Sequence, residues 1–307
     1  MENLQSDPNS ELLQFPVKSV LIIALTAVFM SIIVGMGVTA LAFQIYGVSQ
    51  HTFFELVGGN EAGLMDRNFL RITTLLSHAF TFLIPSVFVA WMLYKKDWVR
   101  FLQLHNAPSI IILLLTLFFI LSAMPLVQFS IWVNQLIPLP AWASTLESET
   151  EGIIKTFLTM ENGGELILSF IVMALVPAIG EELLFRGIIQ RTLAQIIKNQ
   201  HIAVWIAAFI FSFFHFQFAG FLPRMLLGGL LGYLLVWTKN LWFPIFAHLI
   251  FNGTQVVATY LYKEKLEEIN LESAEMPAVG LIIISLILVP AFGIAIQRLQ
   301  KQINYQP

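Results

Sequence analysis

Two adjacent glutamates, Glu181 and Glu182, stand inside the apolar run from Leu175 to Phe185, and Arg186 follows directly. A charged side chain at membrane depth costs at least about 2.5 to 3.5 kcal/mol unless it is paired or lines a wet cavity, so this pair is where chemistry is to be sought. On a helix Glu182 and Arg186 are four apart and can pair on one face, while Glu181 points about 100° away and is left free to act. The structural alternative is a cluster snorkelling to water at a helix end, with Arg186 and Arg191 carrying it.

Further along, Phe211-Ser212-Phe213-Phe214-His215-Phe216 sets one histidine among phenylalanines, and His248-Leu249-Ile250-Phe251-Asn252 places an imidazole and an amide on one helical face. Taken singly, His215 reads as a core histidine and His248 with Asn252 as an interhelical hydrogen-bonding pair. Together with Glu181 they are the residue types that activate a water and stabilise an oxyanion. His51, His105 and His201 fall in loops or at helix ends and are expected to be solvated. His78, near Thr74, Ser77 and Thr81, could line the same cavity, but the expectation leaves it outside the site.

The elements that must hold these residues are set by composition. Of 307 residues, 57% are hydrophobic and only 11% charged, and the mean hydropathy is +0.79. That balance is of a polytopic membrane protein rather than a soluble core. A net charge of -3 without a basic cluster removes the basis for a nucleic-acid partner. The absence of cysteine excludes disulfides and thiolate metal sites. Residues Met1 to Pro16 carry Glu2, Asp7 and Glu11 but no basic residue, unlike a secretory signal, so the first helix is expected to remain as an anchor.

Spanning a bilayer as helix takes about 20 apolar residues. The candidate spans are Ser19–Tyr46, Ile72–Tyr94, Ile110–Val133, Leu166 to about Ile189, Ile202–Phe218, Met225–Thr238, Leu241–Leu261 and Val279–Ile296. The fold is therefore expected to be all-α with about eight transmembrane helices, in a single membrane domain over 19–297 between a cytoplasmic tail at 1–18 and a C-terminal tail at 298–307. An amphipathic stretch from Trp142 to Met160 is expected to lie at the interface as a helix, a packed loop being the alternative. Lys95, Lys96 and Arg100, then Arg186, Arg191 and Lys198, then Lys239, then Arg298 and Lys301 all fall on one side, which the positive-inside rule makes cytoplasmic. Glu147, Glu149, Glu151, Glu161 and the loop from Lys263 to Glu275 fall opposite, and both termini become cytoplasmic.

The ordered set Glu181-Glu182-xxx-Arg186, Phe211-xxx-His215, the helix Gly228-Gly229-Leu230-Leu231-Gly232 with Lys239-Asn240-Leu241-Trp242, and His248-xxx-Asn252 resembles the motifs of the CAAX protease and bacteriocin-processing intramembrane endopeptidases. That family includes the type II CAAX prenyl endopeptidases. The resemblance covers roughly Leu166 to Val256, about a third of the chain. It implies Glu181 as general base, His215 holding the attacking water, and His248 with Asn252 stabilising the oxyanion, while Glu182 and Arg186 support them. No cofactor is favoured. The older reading of the family would make Glu181, His215 and His248 ligands of a zinc ion with an open position. The glycines are assigned to packing alone.

The expected protein is a multi-pass intramembrane peptidase of a bacterial plasma membrane, with the lipid bilayer and a peptide or membrane-protein substrate as partners and a polar pocket open mainly to the cytoplasm. A non-catalytic immunity or scaffold protein of the same family and a small-solute transporter are the alternatives. The first would have lost a motif residue, and none is lost; the second wants an inverted repeat and paired broken helices, which the sequence does not display. One difficulty of depth stands: His215 is 13 residues, about 20 Å, along its helix from Ile202, whereas Glu181 is about 7 to 8 Å from Arg186.

Overall fold

The computed structural model describes residues 16–47, 63–262 and 275–304, without the side chains of 145, 146 and 148–152. The acidic N-terminal stretch, His51, the side chains of Glu149 and Glu151, and the loop from Lys263 to Ala274 lie outside the described residues.

Regular structure in the described residues is helical throughout. In chain order the helices are α1 (Val17–Tyr46), α2 (Leu64–Phe101), α3 (Ile110–Gln135), α4 (Ala141–Leu158), α5 (Gly163–Ile197), α6 (Gln200–Phe213), α7 (Phe221–Thr238), α8 (Trp242–Leu261) and α9 (Val279–Asn304). Six of them are long and apolar enough to cross a membrane: α1, α2, α3, α5, α7 with the turn before it, and α9. The chain is an integral, multi-pass, all-α membrane protein. Helix α4 is the amphipathic stretch expected at Trp142 to Met160. The last helix continues past Arg298 to Asn304.

Two of the eight expected spans depart from that pattern. Helix α8 has the length but interrupts its apolar face with His248, Asn252 and Gln255. Helix α6 does not run to Phe218: it stops at Phe213 after 14 residues, about 21 Å against a hydrocarbon thickness of about 30 Å. The chain turns through Phe216, whose φ is +53°, and α7 starts at Phe221 rather than Met225. A turn short of the far face must satisfy its own backbone. Here Asn134 of α3 donates to Phe218 O at 2.9 Å and accepts from Leu222 N at 2.8 Å, and Glu147 of α4 accepts from Ala219 N at 2.8 Å. Ser212 Oγ donates to Phe221 O at 2.7 Å.

Helices α2 and α5 each widen into π turns, at Ala79–Leu83, Ile171–Leu175 and Leu183–Gln190. The first two lie directly before Pro85 and Pro177. A proline ring clashes with the carbonyl four residues back and offers no N–H, and a wide turn absorbs both effects without ending the helix.

The basic end of the bundle is built at helix C-termini. Lys198 and Lys239 hold positive φ of 58° and 51°, each stopping a helix where a cation also suits the macrodipole, and Lys95, with φ of 47°, breaks the regular path of α2 before its last turns. Inside this end Val89, Leu93, Tyr94, Leu102, Leu183, Ile188, Leu235 and Leu241 form one buried cluster. The segment after α2 is stapled to the start of α8: Leu241 N donates to Gln103 O at 3.0 Å, Asn240 Nδ2 to Asn106 O at 3.0 Å and Trp242 Nε1 to Leu104 O at 3.1 Å.

Candidate active site

Glu181 lies in the middle of α5 and is 3% exposed. Three imidazoles surround its carboxylate. His78 Nδ1 is 3.8 Å from Oε1, and His215 Nε2 and His248 Nε2 are each 4.0 Å from Oε2. The side chains of His78 and His215 are 28% and 27% exposed against 3% for His248, so the carboxylate is approached from the first two and closed behind by the third.

Each histidine has a local reason for its place. His78 ends the α segment before the Ala79–Leu83 π turn, and that turn packs against Gly180. A Cβ at 180 would stand 3.1 Å from Phe82 Cβ and 3.3 Å from Leu83 N, so glycine there lets α2 approach closely without displacing Phe82 or Leu83, and that approach brings His78 to Glu181. His215 sits on the turn after α6, with Nδ1 donating to Phe211 O at 2.7 Å. A carbonyl only accepts, so the neutral ring carries its proton on Nδ1 and turns a lone pair at Nε2 toward Glu181. Phe211 braces two parts of the site, with the His215 ring centroid 4.8 Å away and the Arg186 guanidinium 4.6 Å over its face.

Glu182 faces the other way, as the helical offset requires. Its Oε1 is 2.9 Å from Arg186 Nη1 and 3.0 Å from His248 Nδ1. It therefore bridges a guanidinium and an imidazole, and it orients His248 so that Nε2 points at Glu181. The contact with Arg186 is ionic rather than a well-formed hydrogen bond. Arg186 is 1% exposed, which rules out snorkelling, and its Nη2 donates to Gly228 O at 3.0 Å. Gln190 Nε2 likewise donates to Gly232 O at 3.1 Å. The glycines of α7 thus do more than pack: they bare carbonyls to buried donors on α5. A Cβ at 232 would meet Gln190 Oε1 at 2.7 Å.

Asn252 stands one turn beyond His248 on α8, and its Nδ2 donates to Met173 O at 3.1 Å. That bond ties α8 to the π turn Ile171–Leu175. One amide hydrogen is thereby committed to the backbone rather than to the site, a departure from the expected pairing with His248.

The depth difficulty resolves in the fold. Helix α5 runs on to Ile197, 16 residues past Glu181, and His215 is 15 residues past Gln200, so the two arms place both groups about 22 to 24 Å along from one connection. Arg191, whose Nη1 bonds Phe101 O, marks the level of the basic-end loop, ten residues from Glu181; His248 is seven from Leu241. The carboxylate therefore lies about 10 to 15 Å beyond that level, behind a solid layer of side chains. The expected pocket opens toward the Lys95, Lys198 and Lys239 side, whereas two cavities among the described residues lie at the other end: about 780 Å³ between α1 and α2, where Thr74, Ser77 and Thr81 neighbour His78, and about 700 Å³ between α3, α7 and α8.

Residues 163–254 match the model of one protein family. It is the Rce1-like family of type II CAAX prenyl endopeptidases. The match spans every residue of the constellation except His78, and it is the family whose motifs the sequence resembles. A curated relative, the Bacillus subtilis protein YpbD, described as uncharacterized, is 32% identical over 112 residues, covering 34% of this chain and 54% of that protein. The chain thus spans about half the length of that curated relative. No solved structure matches.

The zinc reading can be held against the geometry. Ligands at about 2.0 to 2.1 Å from a tetrahedral ion stand about 3.3 Å from one another, whereas both imidazoles are 4.0 Å from the Glu181 oxygen. His248 has a partner of the kind that orients a ligating histidine, at Glu182. Among the described residues no group of three His, Asp or Glu side chains is placed to hold a metal ion. As arranged, these residues do not make a ligand set.

Two further features escaped the sequence. His78, which its neighbours Thr74, Ser77 and Thr81 mark only as a candidate cavity-lining residue, is brought to Glu181 by the close approach of α2 to Gly180. Arg67 and Arg71 of α2 pair with Glu165 of α5, at 2.9 and 2.7 Å, and Arg71 Nη2 also donates to Thr159 O at 2.6 Å. This clamp locks α2 to the start of α5 at the end far from the lysines.

Proposed function

We propose that this chain is an intramembrane endopeptidase that hydrolyses a peptide bond of a membrane-associated peptide or protein with a water activated by Glu181. The observation that carries the reading is a single buried carboxylate ringed by three imidazoles at 3.8 to 4.0 Å, within a segment that matches an endopeptidase family. Those gaps are too long for direct hydrogen bonds; a water bridging with two bonds of about 2.8 Å at its tetrahedral angle spans about 4.5 Å, so the groups part by about half an ångström to admit one.

In this mechanism the water lies between Glu181 Oε2 and His215 Nε2. Glu181 takes its proton as the water oxygen bonds to the peptide carbonyl carbon, and His215 accepts the second water hydrogen and fixes the line of attack. To donate at once to the Glu182 carboxylate and to the oxyanion, His248 acts with both ring nitrogens protonated. Its Nδ1–H is held by Glu182, and its Nε2–H faces the site as donor to the oxyanion. When the C–N bond breaks, the proton on Glu181 passes to the leaving amine, and water has been added across the bond. Asn252 offers its second amide hydrogen to the same oxyanion, and Arg186 holds Glu182 in register. No metal is needed for any of these steps.

By the lysine distribution the packed end is cytoplasmic, in a bacterial plasma membrane with both termini on that side. The deciding experiment compares membrane-associated peptide termini in cells with wild-type protein and Glu181→Gln. Termini that vanish with the variant identify substrates, and identical sets would defeat the endopeptidase reading. Retention of in vitro cleavage after zinc chelation separates the glutamate mechanism from the zinc one.

A further inference from the structure

Arg224 stands in the first turn of α7, nine residues after His215. Its Nη1 donates to Gln217 Oε1 at 2.8 Å, but its Nε and Nη2 are buried without a hydrogen-bond partner among the described residues. A guanidinium has five N–H donors in a planar fork that matches a carboxylate. Leaving that edge unmet away from water is costly, more so for a charged group than a neutral one. The room for it is provided by Gly220, where a Cβ would fall 2.5 Å from Arg224 Nη1.

Two observations bear on what could meet that edge. Arg224 lines the cavity of about 700 Å³ beside Gln135, Pro223 and Gln255, and its charge acts on Glu181 and His215 on the other side. Of the two acidic groups whose charge acts on it, Glu147 spends one oxygen on Ala219 N. The cation thus borders a chamber large enough for a few peptide residues and lies within electrostatic reach of the reacting carboxylate.

We propose that Arg224 is a specificity-determining residue: it receives a carboxylate carried by the peptide segment that lies in this cavity, either the chain's terminal carboxylate or an Asp or Glu side chain. The proposal rests on the endopeptidase reading for its substrate class. It assigns to α7 a selective contact beside its packing glycines, and it makes an anionic group on one side of the scissile bond a condition of tight binding.

The test uses full-length protein in nanodiscs carrying Glu181→Gln, so that bound peptide persists. Binding is followed by fluorescence anisotropy for three N-acylated, dye-labelled octapeptides of one sequence: one ending in a free carboxylate, one in a carboxamide, and one in a carboxamide with a penultimate glutamate. With Arg224 present, at least one carboxylate form should bind about 10- to 100-fold more tightly than the plain amide, and which form gains distinguishes terminus from side chain. R224Q should bring that ratio to about one with amide binding little changed, and R224K should restore part of it. Equal affinities for all three peptides, a ratio unmoved by R224Q, or a uniform loss across the three would each overturn the proposal, the last by making Arg224 structural. Should R224Q fail to fold, R224K decides by whether the ratio falls. Cleavage of the same peptides by the wild-type chain is scored separately: failure there counts against the endopeptidase reading, while the binding ratio still judges Arg224.

Discussion

The two ends of this bundle are built on opposite plans. Toward Lys95, Lys198 and Lys239 the space between helices is filled by a continuous apolar cluster. Polar side chains there are spent on neighbouring carbonyls, Arg186 on Gly228 and Gln190 on Gly232. Toward the other end the helices diverge around two cavities, held by a clamp of Arg67, Arg71 and Glu165 and by Asn134 and Glu147 beneath a turn. Glu181 and Glu182 sit at the boundary, one facing each plan. Adjacent residues of the same type thus acquire different surroundings: Glu182 faces packed donors that brace it, and Glu181 faces half-buried imidazoles that, in the proposed mechanism, make it the reagent.

That contrast breaks most directly at the glutamates themselves. Glu181→Gln should lower turnover by about a hundredfold to ten-thousandfold, the range of a lost general base, with thermal unfolding in detergent unchanged. Glu182→Gln should instead strand Arg186 and His248, at about 3 to 5 kcal/mol for a broken buried pair, visible as lost monodisperse yield and a lower melting temperature. Equal stabilities of the two variants would erase the distinction.

The boundary is sharpened by Gly180→Ala. The added methyl meets Leu83 N, which is backbone and yields little, so α2 should be pushed from α5 at an overpacking cost of about 1 to 3 kcal/mol. Activity should fall about tenfold or more as His78 withdraws, and a variant with wild-type kinetics would remove His78 from the site. The smallest effect is a difference in access. Because the chain has no native cysteine, single cysteines report cleanly: Gln255→Cys at a cavity should react with an aqueous maleimide, and Ile188→Cys in the packed end should stay silent. Comparable rates would show that the packed end is open to water. On intact cells, labelling of Lys239→Cys from outside would reverse the proposed orientation.

Much of this was legible in the residues. The runs of apolar side chains mark the helices because a bilayer demands length and composition, both local properties, and Glu182 with Arg186 was readable because four residues is one helical turn. The end of α6 was not. Phe213 to Phe218 carries no glycine or proline to end a helix, and the turn that follows is held by hydrogen bonds to Asn134 and Glu147, about 70 to 90 residues away in the chain. His78 was obscured in the same way, since its meaning comes from Gly180 on another helix.

By itself, then, the sequence determined that this is an all-helical membrane protein and which few polar residues its interior must accommodate, since each buried charge has to be compensated wherever it lies. Only the tertiary structure decided which glutamate is braced and which is ringed by histidines, how deep the pair lies, and which end of the bundle is open. Those are properties of distances between helices, set by glycines, π turns and side-chain volumes acting together, and no single segment encodes them.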